Sequence, residues 1–404
     1  MIKKIFTTSV IVSALGYFVD IYDLILFGIV RVPSLSQLGY GGEDLIKNGI
    51  FLLNTQMAGM LLGGIIWGIL GDKKGRISVL FGSIFLYSIA NLANAFVNDL
   101  TSYALCRLFA GIGLAGELGA AVTLISEILP KEVRGYGTAV VASLGVSGAV
   151  AAAIVGDIFD WKTAYVIGGV LGLMLLVMRI KMFESGIYES IKDSKISKGN
   201  FLKLFTNKNR LFRYLNCILI GLPIWFVVGV LITFSPEFGK VLGVTEPISA
   251  GKSIMFTYIG LIFGDFTSGF FSQYLKSRKK VIAVYIVLTF IFILVYLFSR
   301  NISLGFFYTI CIMLGLSIGY WAVFITIAAE NFGTNLRSTV TTTVPNFIRG
   351  SVVLITLLFG FLRGSMGMIY SALLVGLLTI IIAAISLYNL DETFGKDLDF
   401  IEDI

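Results

Sequence analysis

Six charged residues lie inside strongly apolar stretches of the sequence, and their side chains are types that exchange protons and bind organic anions. They are Asp20, Asp23, Arg107, Glu117, Asp265 and Arg349. A charged side chain within a membrane span costs about 2.5–3.5 kcal/mol on insertion scales, so each one that persists needs a partner or a function. The chain has no histidine, so near-neutral proton exchange inside the membrane has to use carboxylates.

Two of these acids belong to the first apolar stretch. Asp20 and Asp23 are three residues apart, so they share one face of a helix. Glu117 follows Arg107 on a later stretch at ~15 Å along the helix axis, which places it nearer the middle of the membrane. Three roles stay open for Glu117: substrate contact, second protonation site, or a neutral acid bonded to a neighbouring helix.

A stripe of polar residues runs along one face of the eleventh apolar stretch. Thr342, Asn346 and Arg349 stand at positions i, i+4 and i+7 of one helix face. A guanidinium holds a carboxylate through two parallel hydrogen bonds and keeps its proton, so Arg349 suits a substrate carboxylate. The alternative is that Arg349 pairs with Asp265. The other candidate substrate contacts are Asn54, Gln56, Glu117, Trp225, Tyr320 and Trp321.

The elements that position these residues are membrane helices. Of 404 residues, 57% are hydrophobic and 14% are charged, against about 45–50% and about 25% in soluble globular proteins. The apolar residues form twelve runs of about 20, the length that a helix needs to cross a bilayer. The fold class is therefore an all-α membrane protein of twelve transmembrane helices, in contact with the lipid bilayer.

Charge and internal similarity organise these helices into two halves. Most of the 31 lysines and arginines fall in segments that are cytoplasmic if both termini are, Arg179 among them, as the positive-inside rule requires. This distribution explains the net charge of +7 without a nucleic-acid partner. The two halves of the sequence are also similar to each other: matching residues, such as Glu127 and Glu330, are separated by nearly the same number of positions throughout. We expect six-helix bundles at 1–182 and 211–390, a cytoplasmic linker at 183–210 and a cytoplasmic tail at 391–404.

A short motif follows the second span. Gly68, Gly71, Asp72, Lys73, Gly75 and Arg76 form the sequence GILGDKKGR. This sequence resembles the signature G-x-x-x-D-[RK]-x-G-R of the major facilitator superfamily. The resemblance implies two pseudo-symmetric six-helix bundles that rock around a central site.

The fourth span and the tail carry further resemblance. Arg107-x-x-x-Gly111-x-Gly113-x-x-Gly116-Glu117 and the later Glu127-x-x-Pro130-x-x-x-Arg134-Gly135 are similar to the sugar porters and, more closely, to the metabolite:proton symporters. In those symporters an acid of the first span can pair with such an arginine. We therefore expect Asp23 to carry the proton and Arg107 to set its affinity, with Asp20 and Glu117 as further coupling residues. A permanent structural salt bridge between Asp23 and Arg107 is the alternative.

Charged residues at the cytoplasmic ends of the spans recur in both halves. We expect Glu127 to pair with Arg134 and Glu330 to pair with Arg337, which together form an inner gate that holds the outward-open state. A cluster of such pairs can bias two states that differ by a few kcal/mol. The candidate gate residues are Gly68, Asp72, Lys73, Gly75, Arg76, Glu127, Arg134, Glu184, Glu330, Arg337 and Glu392.

These features predict a secondary transporter of the bacterial inner membrane. The expected substrate is an organic acid, amino acid or zwitterion, the coupling ion is a proton, and the protein is a monomer. An enzyme is disfavoured because the chain lacks histidine and its three cysteines are isolated in apolar runs; no cofactor or metal is expected. A uniporter, an exporter and a nutrient sensor without turnover remain as alternatives.

Overall fold

The computed structural model describes residues 7–181, 199–397 and 400–403, and these ranges form a bundle of long helices. Eleven helices there are long and apolar enough to cross a membrane. The last of them is a 56-residue helix that turns at Gly367, where φ is 73°, so it comprises two spans. The expected all-α fold of twelve spans is thereby confirmed.

The spans are numbered in chain order. They are Thr8–Gln37 (TM1), Gly42–Lys74 (TM2), Arg76–Asn94 (TM3), Leu100–Leu114 with Glu117–Ile128 (TM4), Lys131–Val146 with Gly148–Ile158 (TM5), Trp161–Met178 (TM6), Lys208–Leu219 with Leu222–Phe226 and the π-helix Val227–Ile232 (TM7), Ala250–Tyr274 (TM8), Arg278–Phe298 (TM9), Leu304–Ser317 with Trp321–Asn331 (TM10), and Thr334–Asn389 (TM11 and TM12). The end of the bundle with the TM2–TM3 turn is called the inner end below, and the opposite end the outer end.

Two spans are interrupted at equivalent places. TM4 breaks between Leu114 and Glu117, and TM10 breaks between Ser317 and Trp321. At the second break Gly319 packs directly on the backbone of TM8 at Gly264. Helix breaks at membrane depth persist only where protein surrounds them or where they line a cavity, so these breaks mark the level of the central site.

The two halves meet along a seam in which TM2 packs on TM11 and TM5 packs on TM8. Gly68 lies against the backbone of Thr339, at a separation that only a glycine allows without a shift. Gly75 forms the turn between TM2 and TM3 with φ of 96°, in the region that favours glycine. These two glycines of the motif bring the halves together at the inner end.

The predicted linker at 183–210 is only partly described. Phe201–Leu204 forms a short 3₁₀ helix, and TM7 begins at Lys208, slightly earlier than the predicted bundle boundary. The backbone N–H of Gly199 donates to the carbonyl of Asn335 at 3.0 Å, so this part of the linker contacts the start of TM11. The domain bounds remain a prediction.

Candidate functional site

An ion pair crosses the seam inside the helix bundle, beside Trp321 at the break of TM10. Arg349 Nη2 of TM11 lies 3.9 Å from Asp20 Oδ2 of TM1, and both residues are buried. Neither oxygen of Asp20 accepts a hydrogen bond from any described residue. The pair is therefore held by attraction at a distance rather than by the two parallel bonds that an arginine can make. Arg349 can therefore leave Asp20 and bind another carboxylate.

Aromatic rings surround this arginine. The guanidinium carbon of Arg349 lies 5.6 Å from the ring centre of Trp321 and 6.0 Å from that of Trp225. The indole N–H of Trp321 donates to the hydroxyl of Tyr17 at 2.9 Å. The cavity enclosed here is about 20 Å³, room for about one water molecule. A small organic molecule can enter only after the halves move apart. The lining residues are Tyr17, Ile21, Val146, Ile224, Trp225, Val228, Tyr258, Leu261, Trp321 and Arg349.

The polar stripe of TM11 contacts the other half directly. Asn346 Nδ2 donates to the carbonyl of Ala115 at the TM4 break, at 2.8 Å. Arg349 Nη1 lies 3.4 Å from Asn346 Oδ1, and Thr342 packs against Gly119 of TM4. The stripe therefore faces the seam, as its spacing indicates.

Asp265 of TM8 does not pair with Arg349. Its carboxylate instead accepts a hydrogen bond from the backbone N–H of Ala322 at 3.0 Å, at the start of the second half of TM10. An acid there complements the free N–H groups of a helix N-terminus. Tyr320, next to this break, donates from its hydroxyl to the carbonyl of Ile220 in TM7 at 3.0 Å. Both residues thus hold the break in place.

Glu117 forms an ion pair with Arg179 inside the N-terminal half. Arg179 Nη1 donates to Glu117 Oε2 at 2.8 Å, and Nη2 donates to Oε1. Arg179 lies at the inner end of TM6, but its guanidinium is fully buried in the bundle, which the positive-inside pattern did not indicate. Gly16 packs on this pair, one turn before Asp20. A fixed pair beside Asp20 is the role that the contacts support for Glu117.

Asp23 and Arg107 lie near each other without forming a salt bridge within 4 Å. Arg107 donates to Asn91 Oδ1 at 2.8 Å and lies 4.5 Å from the ring centre of Tyr165. Both oxygens of Asp23 are buried without a hydrogen-bond partner in the described part of the chain, although Arg107 is close enough to act on them electrostatically. The permanent salt bridge considered as an alternative is not present.

Two candidate contacts of TM2 lie away from the central cavity. Gln56 is fully buried and belongs to the contact between TM2 and TM4, where its backbone packs on Gly111. Asn54 is half-buried, and neither residue lines the cavity at Arg349. Their predicted contact with substrate has no geometric support in this conformation.

At the inner end, Asp72 of TM2 binds the start of TM11. Its carboxylate accepts hydrogen bonds from the backbone N–H groups of Ser338 at 3.1 Å and Thr339 at 2.8 Å, and from the Thr339 hydroxyl at 2.6 Å. Hydrogen bonds to a charged acceptor each stabilise by about 1.5–3 kcal/mol. This contact joins the two halves at the inner end.

Ion pairs next to Asp72 repeat the internal symmetry. Arg76 Nη2 donates to Glu127 Oε1 at 2.9 Å, and the equivalent Arg278 donates to Glu330 at 3.1 Å. The expected pairing of Glu330 with Arg337 is wrong, because Arg337 crosses the seam and lies 3.4 Å from Glu127. Each acid thus pairs with the arginine at the start of the third span of its own half.

The C-terminal tail attaches to the same end. Glu392 accepts hydrogen bonds from Ser277 Oγ and from the backbone N–H of Arg278. Partial burial opposes ionisation, but these hydrogen bonds prevail and hold the pKa of Glu392 below its usual range. Thr393 donates to Glu330 at 2.8 Å, and Glu402 lies 2.5 Å from Arg213. The tail therefore ties the inner ends of TM7, TM9 and TM10 together.

The contacts of three predicted gate residues lie wholly or partly outside the described residues. Lys73 is exposed in the last turn of TM2. The side chain of Arg134 and all of Glu184 lie outside the described residues, so their predicted pairings stay predictions.

The outer end of the seam has a contact that sequence reasoning missed. Arg31, at the end of TM1, lies 3.8 Å from Glu237 of the short helix Ser235–Leu242, and its guanidinium is 5.9 Å from the ring centre of Phe234. Arg31 is almost fully buried. With both ends of the seam in contact, the conformation is occluded.

The inner contact predicts the effect of Asp72→Asn. The neutral amide keeps the shape but loses the charge-assisted bonds to TM11, so we expect the inner end to open more often. In a chain with its cysteines removed, a cysteine placed at Thr123, which hydrogen-bonds Thr341 across the seam at 2.6 Å, reports the opening. A loss of about 2 kcal/mol corresponds to roughly 30-fold faster labelling.

The matched control is Asp160→Asn. Asp160 also accepts backbone hydrogen bonds, but it caps TM6 at the outer end of the molecule. Labelling at position 123 should not change in this variant. Equal labelling of wild type and Asp72→Asn would show that Asp72 does not hold the inner end closed.

Comparison with known proteins gives a consistent result. A family model described as Major Facilitator Superfamily matches residues 5–347. A protein named as a candidate niacin/nicotinamide transporter of Bacillus subtilis is 26% identical over 382 residues, 91% of this chain and 92% of that protein. The sialic acid transporter NanX of Escherichia coli is 26% identical over 304 residues, 72% of this chain and 71% of that protein.

A solved structure has the same fold. The proton:xylose symporter XylE, bound to 6-bromo-6-deoxy-D-glucose, superposes with a TM-score of 0.74 over 97% of both chains. The sequence identity is 15%, so this likeness speaks for the fold alone.

Proposed function

Since this chain belongs to the Major Facilitator Superfamily and is a membrane transporter of small metabolites, we propose that it is a proton-coupled symporter of a small carboxylic acid. It imports this acid across the bacterial inner membrane, with both termini in the cytoplasm. The observation that carries the proposal is the pair of Asp20 and Arg349 beside two tryptophans at the centre of the seam.

The chemistry of this site suits a carboxylate attached to a planar ring. Arg349 can bind a carboxylate with two parallel hydrogen bonds, and the faces of Trp225 and Trp321 can stack on a ring. One relative is named after niacin and its neutral amide nicotinamide and another after sialic acid, and both niacin and sialic acid are carboxylic acids. Niacin also has an aromatic ring.

Coupling follows from competition for one guanidinium. Asp20 and the substrate carboxylate cannot both bind Arg349 closely as anions, because two like charges at one cation repel. A proton on Asp20 removes its negative charge and leaves Arg349 to the substrate. Proton and substrate then enter together, and both leave when Asp20 returns to Arg349.

The stoichiometry has a consequence for energetics. One proton with one monocarboxylate anion moves no net charge, so the pH gradient drives accumulation and the membrane potential does not. A gradient of one pH unit is worth about 1.36 kcal/mol, which corresponds to about tenfold accumulation.

The test is uptake into proteoliposomes at an external pH of about 6 and an internal pH of about 7. The panel contains nicotinate, benzoate and N-acetylneuraminate, with nicotinamide as the neutral match to nicotinate. We expect roughly tenfold accumulation of one acid, no accumulation of nicotinamide, and no change when valinomycin imposes a membrane potential. Equilibration without accumulation would favour the uniporter, and binding without flux the sensor.

A further inference from the structure

A second loosely held ion pair lies at the outer end of the seam. Arg31 of TM1 lies 3.8 Å from Glu237, and its side chain is only 5% exposed. Arg31 Nε and Glu237 Oε2 are buried without a hydrogen-bond partner among the described residues, a state that buried polar atoms rarely keep. Like Arg349 beside Asp20, Arg31 thus has hydrogen-bond donors left for a carboxylate.

A cavity joins Arg31 to the proposed substrate site. Its lining includes Arg31 of TM1 and Trp225 of TM7, and its volume is about 40 Å³. Trp225 also lines the cavity at Arg349, so the two cavities are neighbours along the seam. Among the described residues that line the outer cavity, Arg31 alone is charged. An anion in this cavity therefore has Arg31 as its electrostatic partner.

Arg31 and the central pair are too far apart to bind one small acid together. Arg31 follows Asp20 by eleven residues on TM1, which corresponds to about 16 Å along the helix axis. A carboxylate on a single ring is much shorter than this distance. Arg31 and Arg349 are therefore suited to hold one carboxylate in succession, with Trp225 next to both positions.

The two members of the outer pair belong to different halves. Gly49 of TM2 leaves room for Arg31, whose Cδ lies 2.8 Å from the point where a side chain at Gly49 would begin, so the N-terminal half holds this arginine. Glu237 follows the π-helix Val227–Ile232 of TM7 in the C-terminal half. π-helices are rare and often occur at functional sites. Separation of the halves at the outer end therefore moves Glu237 away and leaves Arg31 beside the cavity.

We propose that Arg31 is an outer binding position for the substrate carboxylate, which it holds before the substrate passes Trp225 to Arg349. Glu237 and the substrate compete for the guanidinium of Arg31, because two anions at one cation repel each other. The substrate binds Arg31 while the outer end is open. The return of Glu237 to Arg31 releases the substrate inward and closes the outer end. This inference rests on the proposed function, which supplies the carboxylate substrate.

The experiment compares Glu237→Gln with the double variant that adds Arg31→Gln. Both variants lack the outer ion pair and its acid, so they differ only in the guanidinium. Stopped-flow tryptophan fluorescence of the purified protein measures the association rate constants of nicotinate and nicotinamide. We expect nicotinate to associate with the double variant about 10-fold more slowly than with Glu237→Gln, because a cation at an entrance mainly raises the association rate of an anion. Nicotinamide should associate with both variants at the same rate.

Two controls distinguish a binding position from a general effect of charge. Arg300 is exposed between TM9 and TM10 at the same end of the molecule. Adding Arg300→Gln to Glu237→Gln removes the same charge from a screened position, so the nicotinate rate should stay within about twofold. Adding Arg31→Lys instead keeps the charge but loses the paired geometry, so we expect a nicotinate rate between those of Glu237→Gln and the double variant.

The outcomes separate this inference from the proposed function. Equal nicotinate rates in Glu237→Gln and the double variant, or an equal loss for nicotinamide, would show that Arg31 only closes the seam. An equal loss with Arg300→Gln would assign the effect to the overall charge of the outer end, and the outer binding position would be wrong. If the rates differ as expected but the wild type shows no pH-driven uptake, the symport is wrong and the outer position stands.

Discussion

Arg349→Gln is expected to abolish transport of the carboxylate while leaving binding of its neutral amide. Removing one partner of a buried charge pair costs about 2–5 kcal/mol, which corresponds to a rise of roughly 30-fold or more in the apparent Kd for nicotinate. Nicotinamide has the same ring and no charge, so we expect its binding to depend on Trp225 and Trp321 and to change little. Isothermal titration of the purified protein with both ligands measures the two effects separately.

Two further variants sharpen this result. Arg349→Lys keeps the charge and loses the paired geometry, so we expect an intermediate loss for nicotinate. Arg213→Gln removes another arginine of the C-terminal half, which pairs with Glu402 at the inner end and does not line the central cavity. This variant should leave the binding of both ligands unaffected. Equal loss of nicotinate and nicotinamide binding in Arg349→Gln would assign Arg349 a structural role.

The fold could be predicted from the sequence because lipid imposes a simple constraint. Every span has to bury about 20 apolar residues in a helix, so hydropathy alone identified the spans. The internal offset indicated two similar halves but not the helix breaks, which the structure places at Gly116 of TM4 and Gly319 of TM10. Local composition decides the spans, and no long-range contact is needed.

The partners of the buried charges could not be predicted in the same way. The sequence indicated that Asp20, Asp265 and Arg349 needed partners. Which partner each of them has depends on distances between helices of different halves. Arg349 is near Asp20 rather than Asp265, because Asp265 caps the helix that begins at Trp321. The TM10 break that creates this helix N-terminus is visible only in three dimensions.

Arg179 shows a second limit. Its position after an apolar run matches a cytoplasmic anchor, but its long side chain turns back into the bundle to reach Glu117. Such a side chain can point to the cytoplasm or turn back into the bundle. The residue type and the span boundary are the same in both cases, so the sequence does not distinguish them. The one available signal was Glu117 itself, which as a buried acid required a cation within reach.

Asp20→Asn should uncouple transport and remove the dependence of substrate affinity on pH. The amide cannot compete with a carboxylate for Arg349, so nicotinate should bind at pH 8 as tightly as at pH 6. With no proton to carry, accumulation under a gradient of one pH unit should fall from about tenfold to about one. Exchange should persist, because Arg349 and the tryptophans are intact. Uptake and binding at both pH values measure these three quantities.

Asp23→Asn provides the comparison that separates the two acids. This variant keeps Asp20 and Arg349, so it should still accumulate nicotinate about tenfold under the same pH gradient. Nicotinate affinity should still fall from pH 6 to pH 8, since Asp20 remains to compete for Arg349. If Asp20→Asn still accumulates nicotinate about tenfold and Asp23→Asn does not, then Asp23 alone carries the proton. In that case Asp20 and Arg349 would form a pair that closes the seam without coupling it to the proton gradient.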